Sequence, residues 1–335
     1  VVNGLSKICV VLIGDIVDLA EKEVLFTIES LNIEYKYLGR TGLLLFLETE
    51  EMLAEYLCYR CSMVREVTKI ILESDFLNLY KNFNLNLFNI EKTKSICVRI
   101  KSYEHKYKPE VQKLERIIGE FFYKAGYKIN LENPEIIIRG YIISEKIFLG
   151  ILLAKSYRKS YEERRPSKRK VFHPSSMIPK FARLFVNLSK VEINEFLLDP
   201  FCGVGGFLIE ASFFVKHCIG IDIDIRMLKG AKENLKFYNI YNVDLINASA
   251  LKLPLRKIKY IATDTPYGIA SSTKGIRHSE LVKGFLNELS NYKGILACIL
   301  TTESNLNQNF KIILKYPQKV RSSLIRWIYI LSNYG

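Results

Sequence analysis

From residue 176 onward, apolar residues recur first at helical and then at strand spacing, and this alternation constrains the fold more than any other feature. "MIPKFARLFVNLS" predicts a helix, "NEFLLD" a strand, "GFLIEASFFVKH" a helix and "CIGIDI" a strand. "RMLKGAKENLKFY" follows as a helix, then strands "VDLIN" and "KYIATD", helix "SELVKGFLNELSNY", strand "GILACILT" and two last strands near 311–316 and 323–331. Strands separated by helices need crossover connections, which produce a mostly parallel sheet covered on both faces. Ligands in such sheets sit beyond the carboxyl ends of the strands, near the switch point of strand order. Functional residues are therefore sought where strands end.

The preceding residues follow another pattern. Strand "KICVVLIG", helix "DLAEKEVLFTIESL", strands "IEYKYL" and "LLLFLE", helix "EEMLAEYLCYR" and strand "MVREVTKIIL" follow the order of a ferredoxin-like split unit. A second small unit has strand "SICVRIKS", amphipathic helix "KPEVQKLERIIGEFFYKAGY" and strands "PEIIIRGYIIS" and "KIFLGILLA"; Gly140 and "SEK" are consistent with a turn between the last two. Residues 155–170, "KSYRKSYEERRPSKRK", hold eight basic and two acidic residues without apolar periodicity, which predicts a linker or exposed arm. The expected domains are 1–80, 81–154, a basic linker over 155–171, and 172–335.

Charge narrows the partners. With 49 Lys and Arg against 35 Asp and Glu, the formal charge of +14 favours a polyanion, because each neutralised phosphate releases condensed counterions. Apolar runs such as "ICVVLIG" fall short of the ~18 residues needed to span a bilayer, and no leader pattern is legible, so a soluble cytoplasmic protein without membrane association is expected. Seven cysteines, an odd number, speak for a reducing compartment. "CYRC" at Cys58 and Cys61 lacks the second pair a zinc site needs, and the four histidines show no ligand spacing, so no metal is expected.

Three stretches carry chemistry. In "LLDPFCGVGGFLIEA", Gly203, Gly205 and Gly206 let the backbone turn sharply between strand and helix and approach a ligand closely. About twenty residues on, "GIDID" places Asp222 at a strand end, where a carboxylate can accept both ribose hydroxyls. A nicotinamide or flavin site shares these parts, but the spacing is not G-x-G-x-x-G, and Asp199 would repel a pyrophosphate. An acid at that strand end suits an ammonium-bearing ligand such as S-adenosylmethionine. Two strands later stands "TDTPYG". The exocyclic amine of a nucleobase is a poor nucleophile; Asp264 and the Thr265 carbonyl can accept its protons and aim its lone pair, while Tyr267 stacks on the extruded base.

With these residues in place, the second half resembles a class I methyltransferase of the amino-group-modifying kind, Asp264 to Tyr267 standing at its Asp/Asn-Pro-Pro-Tyr/Phe motif. The first half is similar to the ferredoxin-like plus THUMP arrangement of tRNA-modifying enzymes, through "SICVRIKS" and "INLENPEIIIRGYI". Together with "FHPSSMIPKFARLFVNLS", they resemble the archaeal tRNA guanosine-10 N2-methyltransferases along nearly the whole chain. The resemblance implies an α/β protein: a ferredoxin-like plus THUMP α+β part, a linker, and a Rossmann-like domain with a mostly parallel seven-stranded sheet. It implies S-adenosylmethionine as cofactor and tRNA as partner. Asp199, Gly203 and Gly205 would flank the methionine part, Asp222 the ribose, and Ser249 and Ala250 the adenine. His173, Pro174 and Ser176 would close the site, and Asp264, Thr265, Pro266 and Tyr267 would form the amine pocket.

Two departures stand out. Thr265 replaces the first proline, keeping the carbonyl but softening the peptide. Ser249 stands where related enzymes often place an Asp. Lys274, Arg277 and His278 in the loop after the motif are candidate phosphate contacts. Other readings are a methyltransferase acting at another tRNA position, a DNA adenine or cytosine methyltransferase, which the THUMP-like half disfavours, and an RNA binder that has lost its chemistry. A small activating methyltransferase partner protein is a further candidate partner.

Overall fold

The computed structural model describes residues 5–14, 16–266, 277–300, 310–321 and 324–333. Contacts divide the chain into two units, residues 1–21, 34–59 and 63–157, and residues 22–33, 60–62 and 158–335.

In the first unit, β1 (Leu5–Leu12), β2 (Lys36–Thr41), β3 (Leu44–Glu50) and β4 (Val64–Asp75) interleave with helices α1 (Val17–Glu29) and α2 (Leu53–Arg60), whose chain segments the two units share. After the short α3 (Leu79–Asn82) come β5 (Ser95–Ser102), α4 (Val111–Lys124), β6 (Lys128–Ile129), β7 (Ile136–Ile143) and β8 (Lys146–Lys155). The two halves expected as separate small units share one eight-stranded sheet, ordered β2-β3-β1-β4-β8-β7-β5-β6, because β4 pairs antiparallel with β8. Pairing between strands so far apart in sequence leaves no local signature. Leu114, Ile118 and Phe122 of α4 recur at helical spacing and are buried against Ile96, Val98, Ile100 and Ile138 of the sheet. Each such burial contributes roughly 1.5–3 kcal/mol. The β7–β8 turn runs through Ser144 and Glu145, at φ 51° and 60°. Gly140 is not part of that turn. It lies mid-strand, where a Cβ would come within 2.8 Å of Ile100 and Leu149 side-chain atoms.

The second unit contains α5 (Lys159–Glu163), α6 (Pro179–Leu188), β9 (Phe196–Asp199), α7 (Gly206–Ala211), β10 (His217–Asp222), α8 (Ile225–Phe237), β11 (Val243–Asn247), β12 (Tyr260–Asp264), α9 (His278–Leu289), β13 (Ile295–Leu300), β14 (Lys311–Arg321) and β15 (Leu324–Ser332). The sheet has seven strands in the order β11-β10-β9-β12-β13-β15-β14; β15 alone runs antiparallel to its neighbours β13 and β14. Val282, Phe285, Leu286 and Leu289 of α9 pack on Leu198, Ile221, Ile261 and Leu296. On the other face of β10, a Cβ on Gly220 would lie 2.4 Å from Leu208 of α7, so that helix sits directly on the strand. Among the described residues, no helix is long and apolar enough to cross a membrane.

The basic stretch is not simply an exposed arm. Tyr161, Pro166 and Arg169 are buried. Arg164 donates from Nε and Nη2 to the two oxygens of fully buried Glu210 at 2.7 and 3.0 Å, and Arg183 reaches the same carboxylate at 3.2 Å. Local composition misleads here because the neutralising acid lies 46 residues downstream. Cys58 and Cys61 are buried thiols, Cys61 Sγ lying 3.4 Å from Thr27 Oγ1.

Candidate active site

Chain direction places three acids side by side. Asp222, Asp199 and Asp264 end β10, β9 and β12, three adjacent parallel strands, and strand order reverses direction between β9 and β12. All three line a cavity of about 360 Å³, within the size range of small-molecule sites.

The glycine turn after β9 takes left-handed φ at Gly203 (52°) and Gly205 (87°), conformations costly for other residues. Gly203 N donates to Asp222 Oδ2 at 2.9 Å, and Asp224 N donates to Asp222 Oδ1 at 2.8 Å. Asp222 is thereby held with one lone pair on each oxygen left for donors in the cavity. Burial raises its carboxyl pKa, and those backbone donors oppose the shift. Asp224 caps α8, accepting from Arg226 N at 2.9 Å, and also takes the Arg226 guanidinium at 2.7 Å.

Asp199 is 1% exposed. Its Oδ1 accepts from Thr263 Oγ1 at 2.7 Å and from Phe201 N at 3.2 Å, while its Oδ2 is buried without a hydrogen-bond partner among the described residues. Burial pushes the carboxyl up to about 7, with the charges of Asp222 and Asp264 adding to the rise and the two donors opposing it. A buried carboxylate with one unfilled oxygen favours a cationic donor from a ligand, which would satisfy the oxygen and offset the charge.

The wall before the first motif is anchored at a distance. Asn234 of α8, fully buried, accepts from Val171 N at 2.7 Å and donates to the carbonyls of Val171 and Val204, both at 3.0 Å. One amide thus joins the segment leading into His173 to the glycine turn. His173 Nδ1 lies 2.7 Å from Ser175 Oγ, and His173, Ser175, Ser176 and Met177 line the cavity.

Of the residues singled out from sequence, His173, Ser176, Asp199, Gly203, Asp222, Ser249, Ala250, Asp264, Thr265 and Pro266 converge on this cavity. Pro174 is exposed and does not line it. Gly205 lies just behind it, its absent side chain directed at Ala231. Tyr267 and Lys274 fall outside the described residues, as does the His278 side chain. Arg277 is exposed and pairs with Glu280 at 2.7 Å. Ser249 Oγ accepts from Leu251 N at 3.2 Å and can still donate its proton. The sequence reading missed Asp224, although an Asp between strand and helix is a cap signal. It also missed Phe201, Cys202, Phe207, Met227 and Leu281, whose apolar or soft side chains read as core.

Comparison with known proteins gives the family. The THUMP domain family matches residues 75–152, and the RMKL-like methyltransferase domain family matches residues 166–315. A tRNA (guanine(10)-N2)-dimethyltransferase of Methanothermobacter thermautotrophicus is 39% identical over 229 residues, 66% of this chain and 68% of that protein. Its counterpart in Methanocaldococcus jannaschii is 34% identical over 279 residues, 79% of this chain and 78% of that one. The chain belongs to the tRNA (guanine(10)-N2)-dimethyltransferase family. The crystal structure of TrmN from Thermus thermophilus superposes on this family member with a TM-score of 0.54 at 17% identity, covering 98% of this chain and 99% of that one, a likeness of fold. The cofactor implied for such a methyltransferase is S-adenosylmethionine. The residues present fit it through the unfilled oxygen of Asp199, the pre-set Asp222 and the left-handed glycine turn between them.

Proposed function

We propose that this protein transfers methyl groups to the exocyclic N2 of guanosine 10 in tRNA, once or twice at the same nitrogen, using S-adenosylmethionine. The observation that carries the reading is the convergence of Asp199, Asp222 and the Asp264-Thr265-Pro266 stretch on one cavity at the switch point of the sheet. When bound, S-adenosylmethionine supplies an electrophilic methyl on a sulfonium. Asp199 would hold its ammonium, Asp222 its ribose hydroxyls, and Ser249 and Ala250 would border its adenine.

Asp264 and the Thr265 carbonyl accept the two protons of the guanine amine, which orients the nitrogen lone pair toward the methyl and restricts the base to a near-attack pose. As the new N–C bond formed and the methyl–sulfur bond broke with its electron pair going to sulfur, the nitrogen would become more acidic and one proton would pass to Asp264. Tyr267, which lies outside the described residues, would stack on the base. The first unit, with its THUMP domain, grips the body of the tRNA, and the net positive charge favours the polyanion.

Incubation with an unmodified tRNA transcript and S-adenosylmethionine labelled in its methyl group, followed by nucleoside digestion, tests the reading. Labelled N2-methylguanosine and N2,N2-dimethylguanosine are expected. Both should disappear with Asp264→Ala and with a transcript carrying adenosine at position 10, while Asp264→Ala retains tRNA binding. Tight tRNA binding with no label would refute the assignment.

A further inference from the structure

We infer that Thr263 is a positioning residue for the methyl donor, acting through Asp199; the inference rests on the methyltransferase reading above. Thr263 is fully buried on β12, one residue before Asp264 and outside the Asp-Thr-Pro-Tyr stretch. Its Oγ1 donates to Asp199 Oδ1 at 2.7 Å, and Phe201 N donates to the same oxygen at 3.2 Å.

Two donors converging on one oxygen fix the carboxylate plane. The other oxygen, buried and without a hydrogen-bond partner among the described residues, is left for the ligand. Without the hydroxyl, Phe201 N alone would restrain Oδ1, and the carboxylate could turn Oδ2 away from the ammonium. Thr263 also ties the strand that carries Asp199 to the one that carries Asp264, across 64 residues of sequence. The same strand therefore orients the donor's amino-acid end and presents the amine acceptor, so the two substrates share one reference frame.

The effect is confined to the amino-acid end of the donor, and this makes it separable from a general loss of packing. Binding of S-adenosylhomocysteine, which carries the ammonium, is compared at pH 8 with binding of 5′-methylthioadenosine, which keeps adenosine and sulfur but lacks the amino acid. Titration calorimetry on the full-length chain gives both affinities. Thr263→Val, which keeps the shape and removes the hydroxyl, should weaken S-adenosylhomocysteine about tenfold and change 5′-methylthioadenosine by less than about twofold. Thr263→Ser should recover most of the loss. Added to Asp199→Asn, Thr263→Val should cost nothing further, since the charge it orients is gone.

Equal losses for both compounds, or none for either, would overturn the inference. So would full additivity with Asp199→Asn. A wild-type protein that binds neither compound would overturn the methyltransferase reading and this inference with it, whereas unequal wild-type binding left unaltered by Thr263→Val would overturn the inference alone.

Discussion

Asp199→Asn should separate ligand binding from folding stability, with opposite signs for the two. The Asn keeps an oxygen for Thr263 and Phe201 but removes the charge behind the unfilled Oδ2. A hydrogen bond to a charged group is worth about 1.5–3 kcal/mol, so S-adenosylhomocysteine should bind on the order of 10- to 100-fold more weakly. Proton linkage sharpens the test. With its carboxyl at about 7, Asp199 is mostly neutral at pH 6 and mostly ionised at pH 8. Only the ionised form meets an ammonium well, so wild-type affinity should rise about tenfold over that interval, with release of a proton.

Asp222 is raised in the same direction, but it faces hydroxyls and persists in the variant, so its contribution cancels in the comparison. The stability effect runs the other way. A carboxyl raised in the folded state binds more protons there than in the unfolded chain, so ligand-free stability falls as pH rises from about 4 toward 7. Ligand-free Asp199→Asn should therefore melt higher than wild type at pH 8. Calorimetric Kd values at pH 6, 7 and 8, with thermal melts of both proteins, measure every part. A wild-type affinity flat between pH 6 and 8, or an Asn variant that keeps the slope, would refute the reasoning.

Other outcomes follow from the packing of both units. Glu210→Gln removes the charge facing the half-buried Arg164 and the buried Arg183 guanidinium groups and should cost about 3–5 kcal/mol in chemical denaturation, a loss under about 1 kcal/mol being contrary. Gly150→Ala places a Cβ 1.8 Å from the Lys69 carbonyl oxygen, so it should destabilise by about 3 kcal/mol or more. Hydrogen exchange should show β4 and β8 losing protection while β9 to β13 keep theirs. Thr265→Pro restores the stiffer peptide of the usual motif and should raise kcat several-fold with donor KM unchanged in steady-state assays; a fall in kcat would show that the threonine is required.

Much of the second unit could be read locally. Its alternating helices and strands demanded crossovers, and "DPFCGVGG", "GIDID" and "TDTPYG" each ended a strand, so their acids had to gather at one edge of a parallel sheet. The first unit was legible strand by strand but not as a sheet. Nothing in "MVREVTKIIL" or "KIFLGILLA" announces that these two pair, because antiparallel partners are chosen by complementary faces and not by neighbouring residues. The β7–β8 turn was legible in "SEK", where Ser144 and Glu145 adopt positive φ, but Gly140 is no part of it and serves packing inside the strand.

The sequence by itself determined the chemistry on offer: which acids end strands, where glycine frees the backbone, and a positive charge suited to nucleic acid. These properties belong to single residues and short spacings. Tertiary structure alone decided how that chemistry is held. Thr263 fixes one oxygen of Asp199, Asn234 joins the His173 segment to the glycine turn, and Glu210 draws Arg164 out of an otherwise hydrophilic run. Each is a contact between residues tens of positions apart. A buried polar group must find a partner wherever the fold brings one, and no local pattern records which partner that will be.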